Sequence, residues 1–290
     1  MNTRTHLMTD IVRPIALAWV CVTFGSFAAL VLKATVGLHI SKLTASAITF
    51  LVAVLCAFAL FPKILKQPFG AVELPTYLRR IGFYFPKTAW KHILLGVLLA
   101  IITLCGMLIG SLLTGRYTFD PDTINLTQIL FSLNPGIWEE FFFRGVIMFI
   151  CIRLTGSVRQ AALLQILLFG LAHIKGVDLW SWVDVLSVMI LAAAFTYTAW
   201  KTRTLVAGIV FHFLHDAFLF VPQLPGTETT STVEKLAFFG CLWLAVGLVF
   251  LLVKLAAERL GVTAEEPLYV VEKVRTNHHQ TTQAEHAHDR

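Results

Sequence analysis

Charge is what this 290-residue chain has least of: 14% of its residues are Asp, Glu, Lys or Arg, against 57% hydrophobic and a mean hydropathy of +0.76. That balance excludes an ordinary soluble domain. A Gly-rich phosphate loop, an internal repeat and an HExxH pair are all missing, so nucleotide cradles, duplicated transporter halves and one-helix zinc sites have no support. Cysteines number five, and Cys21, Cys56, Cys105, Cys151 and Cys241 all sit in apolar runs. They read as small apolar fillers and not as a secreted disulfide framework. The net charge of +6 lies in short loops and not on a basic face with aromatic platforms, so no nucleic-acid partner is expected.

What remains is an all-α, polytopic integral membrane protein. Apolar runs long enough to cross ~30 Å of hydrocarbon place helices near 12–36, 44–65, 92–114, 137–154, 159–175, 181–200, 204–221 and 233–256. That is about eight transmembrane helices. The basic N-terminus runs into an apolar stretch too long for a signal peptide and is expected to stay as the first span, with cleavage after Ser26 to Ala29 as the competing reading. Residues 125–133 look like a short interfacial helix, and Asn134 and Pro135 then start span four. Residues 1–260 form the transmembrane domain, with its motifs in 136–220. Residues 261–290 form a polar tail with too little apolar surface to fold, and its His278, His279, His286 and His288 read as solvated.

Loop charges give the orientation. Lys63, Lys66, Arg79, Arg80, Lys87 and Lys91 stand against Glu73 in one loop, whereas the connection around Arg116, Asp120 and Asp122 is mildly acidic. Later loops alternate in phase: Arg153 and Arg159, Lys201 and Arg203, and Lys254 and Arg259 on the basic side, with Lys175 and Asp178, then Glu228, on the other. Both termini are therefore expected in the cytoplasm.

An ionisable side chain inside a span costs several kcal/mol unless it pairs or lines a polar cavity, which makes such residues the informative ones. WEEFFFRG holds Glu139, Glu140 and Arg144; FGLAH holds His173; FHFLHD holds His212, His215 and Asp216. Glu140 and Arg144 are four apart on one helix face in the favourable order, while Glu139 is turned away by ~100°. Glu140 is thus the candidate for a structural salt bridge and Glu139 for the carboxylate that meets water. His212 and Asp216 also share a face, from which His215 diverges. Chain direction brings Glu139, His173 and His212 to similar depth. Two carboxylates with an imidazole can activate water. Blander readings fit Asp184, near a helix start, and Phe141 to Phe143, as packing or lipid contact.

The three motifs, EExxxR at Glu139, Glu140 and Arg144, FxxxH at Phe169 and His173, and HxxxD at His212 and Asp216, together resemble the type II CaaX prenyl endopeptidase family, also called the CPBP or Abi family of intramembrane proteases. The resemblance implies that Glu139 and His173 activate the attacking water, that Glu140 and Arg144 support the site, and that His212 with Asp216 polarises the scissile carbonyl. The family has been described both as metal-dependent and as using a glutamate alone. Glu139, His173 and His212 are acceptable zinc ligands, so a zinc metalloprotease stays open at this point. An Asn in the last motif could donate to an oxyanion, whereas an ionised Asp216 only accepts, and its expected role is to orient His212.

The implied activity is hydrolysis of a hydrophobic or membrane-anchored peptide or protein within the lipid bilayer. Eukaryotic members act on prenylated cytosolic tails, but the loop charges put this site nearer the outer face, so either that orientation is wrong or the substrate is not a prenylated cytosolic protein, and prenyl specificity is not assumed. The compact layout points to a bacterial inner membrane. Two other readings compete: a non-catalytic immunity or binding protein, and an ion-coupled transporter using the buried Glu, His and Asp as a relay.

Overall fold

The computed structural model describes residues 74–113, 126–174, 176–218 and 231–262, with Thr44, Ile48 and Leu51 as isolated positions. All regular structure among the described residues is helical. The helices are α1 (Leu74–Arg80), α2 (Ala89–Leu113), α3 (Leu126–Phe131), α4 (Leu133–Glu139), a π-helix (Glu140–Ile147), α5 (Met148–Thr155), α6 (Val158–Leu171), α7 (Leu179–Thr202), α8 (Val206–Phe218) and α9 (Thr232–Arg259). The first two predicted spans, apart from those isolated positions, the loop charges at Lys63, Lys66, Glu73, Arg116, Asp120, Asp122, Lys175 and Glu228, and the tail histidines lie outside the described residues.

Among the described residues, three helices are long and apolar enough to cross a bilayer: α2, α7 and α9, with 25, 24 and 28 residues. The count of eight is not established. At 14 residues α6 rises only about 20 Å, short of the ~30 Å of hydrocarbon, and α8 is described over Val206–Phe218; both coincide with predicted spans. Predicted span four is a composite of α4, the π-helix and α5. Its first helix begins at Leu133, so Asn134 and Pro135 occupy the first turn, where proline's missing N–H costs no hydrogen bond.

On α2 both faces are apolar. The small and polar residues His92, Gly96, Thr103, Gly106, Gly110 and Ser111 are buried together with Leu95, Leu99 and Met107, while Trp90, Leu94, Leu98, Ile101, Leu112 and Leu113 are exposed. Large apolar residues outside and small residues on the packed face suit lipid on one side and close helix packing on the other. Gly106 and Gly110 bring α2 against α9: a Cβ on Gly106 would lie 2.5 Å from Ala245 Cβ and 2.9 Å from the Cys241 carbonyl oxygen. Gly106→Leu is expected to cost about 1–3 kcal/mol of stability through overpacking. Thermal melting in detergent checks this, with Gly240→Ala and Gly247→Ala, which open onto empty space, as variants that should melt no lower than wild type.

Helix ends follow local chemistry. Asp178 caps α7, its Oδ1 accepting from Trp180 N at 2.9 Å and Ser181 N at 3.1 Å. Those bonds and the one from the Ser181 hydroxyl hold the Asp178 carboxyl below its usual range. Gly156, with φ of +65°, ends α5, and Ser157 starts α6 by accepting from Gln160 N. At the same end, Leu205 N donates to the Gly82 carbonyl at 2.8 Å and the Thr204 hydroxyl to that of Tyr84 at 3.0 Å, which fixes where α8 begins. Two apolar clusters result, one around the π-helix, α5 and α6, the other joining α2, α7, α8 and α9. Cys151 is buried as filler in the first.

Candidate active site

The π-helix carries Glu140 to Gly145 of the WEEFFFRG stretch, with Glu139 immediately before it. All eight of its residues, EFFFRGVI, are buried, which settles Phe141 to Phe143 as packing and not lipid contact. A π turn holds one residue more than an α turn, and such insertions occur mostly as short bulges at functional sites. Here it swings the carboxylates of two adjacent residues toward one partner on α8. His212 Nδ1 lies 2.9 Å from Glu140 Oε1, and its Nε2 lies 3.8 Å from Glu139 Oε2.

Glu140 and Arg144 pair at 2.9 Å with both side chains fully buried. Arg144 is clamped between aromatic faces, its guanidinium carbon 4.2 Å from the Phe169 ring centre and 5.0 Å from that of Phe195. Flat, weakly hydrated guanidinium tolerates this where an ammonium would not. Room for the Glu140 carboxylate comes from Gly208: a Cβ there would sit 3.1 Å from Oε2.

Around His212 the polar groups form a gradient of access. Glu140 is closed off, the His212 side chain is 7% exposed, Glu139 14% and Asp216 26%. Phe195 stacks on the imidazole, with ring centres 4.7 Å apart and planes 16° from parallel, and so fixes the ring plane. An imidazole N–H at Nδ1 donates to Glu140, leaving Nε2 directed toward Glu139 and Asp216.

This arrangement corrects one sequence expectation. Asp216 was to orient His212 by accepting its N–H, but its Oδ2 is 3.6 Å from Nε2, beyond hydrogen-bond distance, and Glu140 is the acceptor that orients the ring. His215 stands apart: its Nδ1 lies 3.4 Å from the Thr103 hydroxyl on α2, and the diverging direction read from its position accounts for that. His173 joins the group through Phe169. Its Nδ1 is 2.8 Å from the Phe169 carbonyl, its ring is 4.6 Å from the Phe169 ring, and Arg144 packs on that same ring. Asp184 lies in the second turn of α7, away from its capping position.

Glu139, His173 and His212 were the acceptable zinc ligands, but among the described residues no three His, Cys, Asp or Glu side chains assemble as a metal-binding group. No chemical step is routed through a metal here. Glu139, Glu140, Arg144, His212 and Asp216 are brought together; His173 is one aromatic ring away. Phe195 and Gly208 carry positioning roles that sequence reasoning missed. Gly208 had a signal, a small residue one turn before His212 on the same face; Phe195, one aromatic among many in an apolar helix, had none.

The family model described as type II CAAX prenyl endopeptidase, Rce1-like, matches residues 121–218. The matched third of the chain contains all three motifs, Phe195, Gly208 and the whole carboxylate and imidazole cluster, and over it the chain is similar to that endopeptidase family, as the motifs indicated. No curated protein and no solved structure matches the chain.

Proposed function

We propose that the chain is an intramembrane endopeptidase that hydrolyses a peptide bond in a membrane-associated or hydrophobic-tailed substrate by general-base activation of water. The observation that carries this reading is the convergence of Glu139 and Asp216 on Nε2 of an imidazole whose Nδ1 is tied to Glu140. A water at the apex of that group hydrogen-bonds Glu139 and Nε2 together. Glu139 takes its proton as the oxygen attacks the scissile carbonyl carbon. His212 acts as the imidazolium, with Nδ1–H on Glu140 and Nε2–H as a hydrogen-bond donor to the developing oxyanion, and the Glu139 carboxylic acid returns its proton to the leaving nitrogen as the C–N bond breaks. Glu140, Arg144 and Phe195 hold His212 still, and His173 is assigned with Glu139 to water activation by its motif position.

The protein is read as multi-pass in a bacterial inner membrane, with both termini cytoplasmic, and its substrate need not be prenylated. The test uses the purified full chain in vesicles with a library of membrane-tethered reporter peptides, with and without a chelator. Cleavage that persists in chelator is the expected result, and cleavage lost on chelation moves the chemistry to a metal. If no reporter is cut in either condition, the reading gives way to the binding protein, and proton flux in the same vesicles would mark the transporter.

A further inference from the structure

At the end of the molecule where α5 gives way to α6 and α7 ends, a crevice of about 170 Å³ opens among α5, α6, α7 and α9. Its wall is almost wholly apolar, built by Met148, Ala162, Ile166, Ala193, Trp200 and Phe250. Thr196 also reaches it, but the Thr196 hydroxyl already donates to Gln165 Oε1 at 2.7 Å and gives a ligand no donor. That volume exceeds a benzene-sized cavity of roughly 150 Å³, enough for a short length of hydrocarbon.

The rim is of a different kind. Arg159 lines the crevice and is exposed at the first turn of α6. The Lys201 ammonium lies 5.3 Å from the Trp200 ring centre and 5.7 Å from that of Tyr197, both of which line it too. Lys254 stands one turn beyond Phe250 on α9, with Glu258 a turn further as the acidic group of that face. Indole and phenol rings mark the level of a bilayer's headgroups, and Arg159 and Lys201 beside them, against the single carboxylate of Glu258 acting on Tyr197, favour an anionic headgroup. Apolar slot, aromatic collar and cationic rim lie in the order of a phospholipid's own parts.

We propose that this crevice is a binding site for an anionic phospholipid of the surrounding bilayer, one acyl chain in the slot and the phosphate held by Arg159 and Lys201. It is independent of the peptidase reading, because it uses none of the residues of the carboxylate and imidazole cluster.

The full chain is purified from vesicles of equimolar phosphatidylglycerol and phosphatidylcholine, and retained lipid is counted by native mass spectrometry. Wild type is expected to keep phosphatidylglycerol in excess, and Arg159→Gln and Lys201→Gln are each expected to lower that excess roughly fivefold, as removal of one surface cation implies. Ala193→Trp, which fills the slot, should release both lipids, with its circular dichroism checked against wild type. Phosphatidylglycerol brominated in its acyl chain should quench indole emission less in Trp200→Phe than in wild type, a measurement that stands if Ala193→Trp does not fold. Equal retention of the two lipids by wild type, a preference undiminished in both cation variants, or quenching unchanged in Trp200→Phe overturns the site.

Discussion

Glu139→Gln is expected to slow peptide cleavage by about 10²–10⁴-fold, the usual size of a general base's contribution, while leaving the melting temperature close to that of wild type. The geometry separates the two effects. Glu139 is the more open of the two adjacent glutamates, and its nearest charged partner, His212 Nε2, is at 3.8 Å, too far for a direct hydrogen bond. Glutamine keeps the shape and loses only the capacity to take a proton. Initial rates on the reporter peptide, read beside a melting curve of the same preparation, are the measurement. A Glu139→Gln protein that cleaves at the wild-type rate would remove this residue from the base role.

Glu140→Leu should do the opposite in kind, costing about 3–5 kcal/mol of stability because it leaves the Arg144 cation buried without its carboxylate. Arg144 and Glu140 are both fully buried and 2.9 Å apart, so neither side chain can turn to water when the other is removed. Adding Arg144→Leu to the first change removes both charges at once and is expected to recover most of the loss, since two apolar side chains of similar size replace a desolvated pair. Activity should not return, because the acceptor for His212 Nδ1 is still missing. Unfolding in denaturing detergent, applied to the two single variants and the double, gives the coupling directly. A single variant as stable as wild type would contradict the buried pair.

What the sequence could reveal follows from contrast. Against an apolar background every buried charge is conspicuous, so Glu139, Glu140, Arg144, His212 and Asp216 stood out, and the four-residue spacing correctly paired Glu140 with Arg144. Helix positions were legible too: α2, α7 and α9 begin and end within a few residues of the expected spans. Directions were less so. Counting ~100° per residue assumes an α-helix throughout, and nothing in EFFFRGVI announces the wider turn that lets adjacent glutamates address the two nitrogens of one ring. Asp216 as the orienting acceptor rested on the carboxylate–histidine pairs of other hydrolases, and the one-turn spacing on α8 does place the two together, but the shorter contact comes from Glu140 on the π-helix. Phe195 was illegible for another reason: an aromatic that clamps a guanidinium has the same letter as one that fills space.

The shortness of α6 bears on supply. Hydrolysis consumes a water molecule at every turnover, and hydrocarbon holds almost none. The chain runs along α6 and returns along α7, so the end of α6, with His173 just past it, lies on the side toward which α8 carries His212 and Asp216. A helix that rises about 20 Å leaves about 10 Å of a full hydrocarbon crossing uncovered. On the peptidase reading, water approaching His173 from that side would have that much less hydrocarbon to cross.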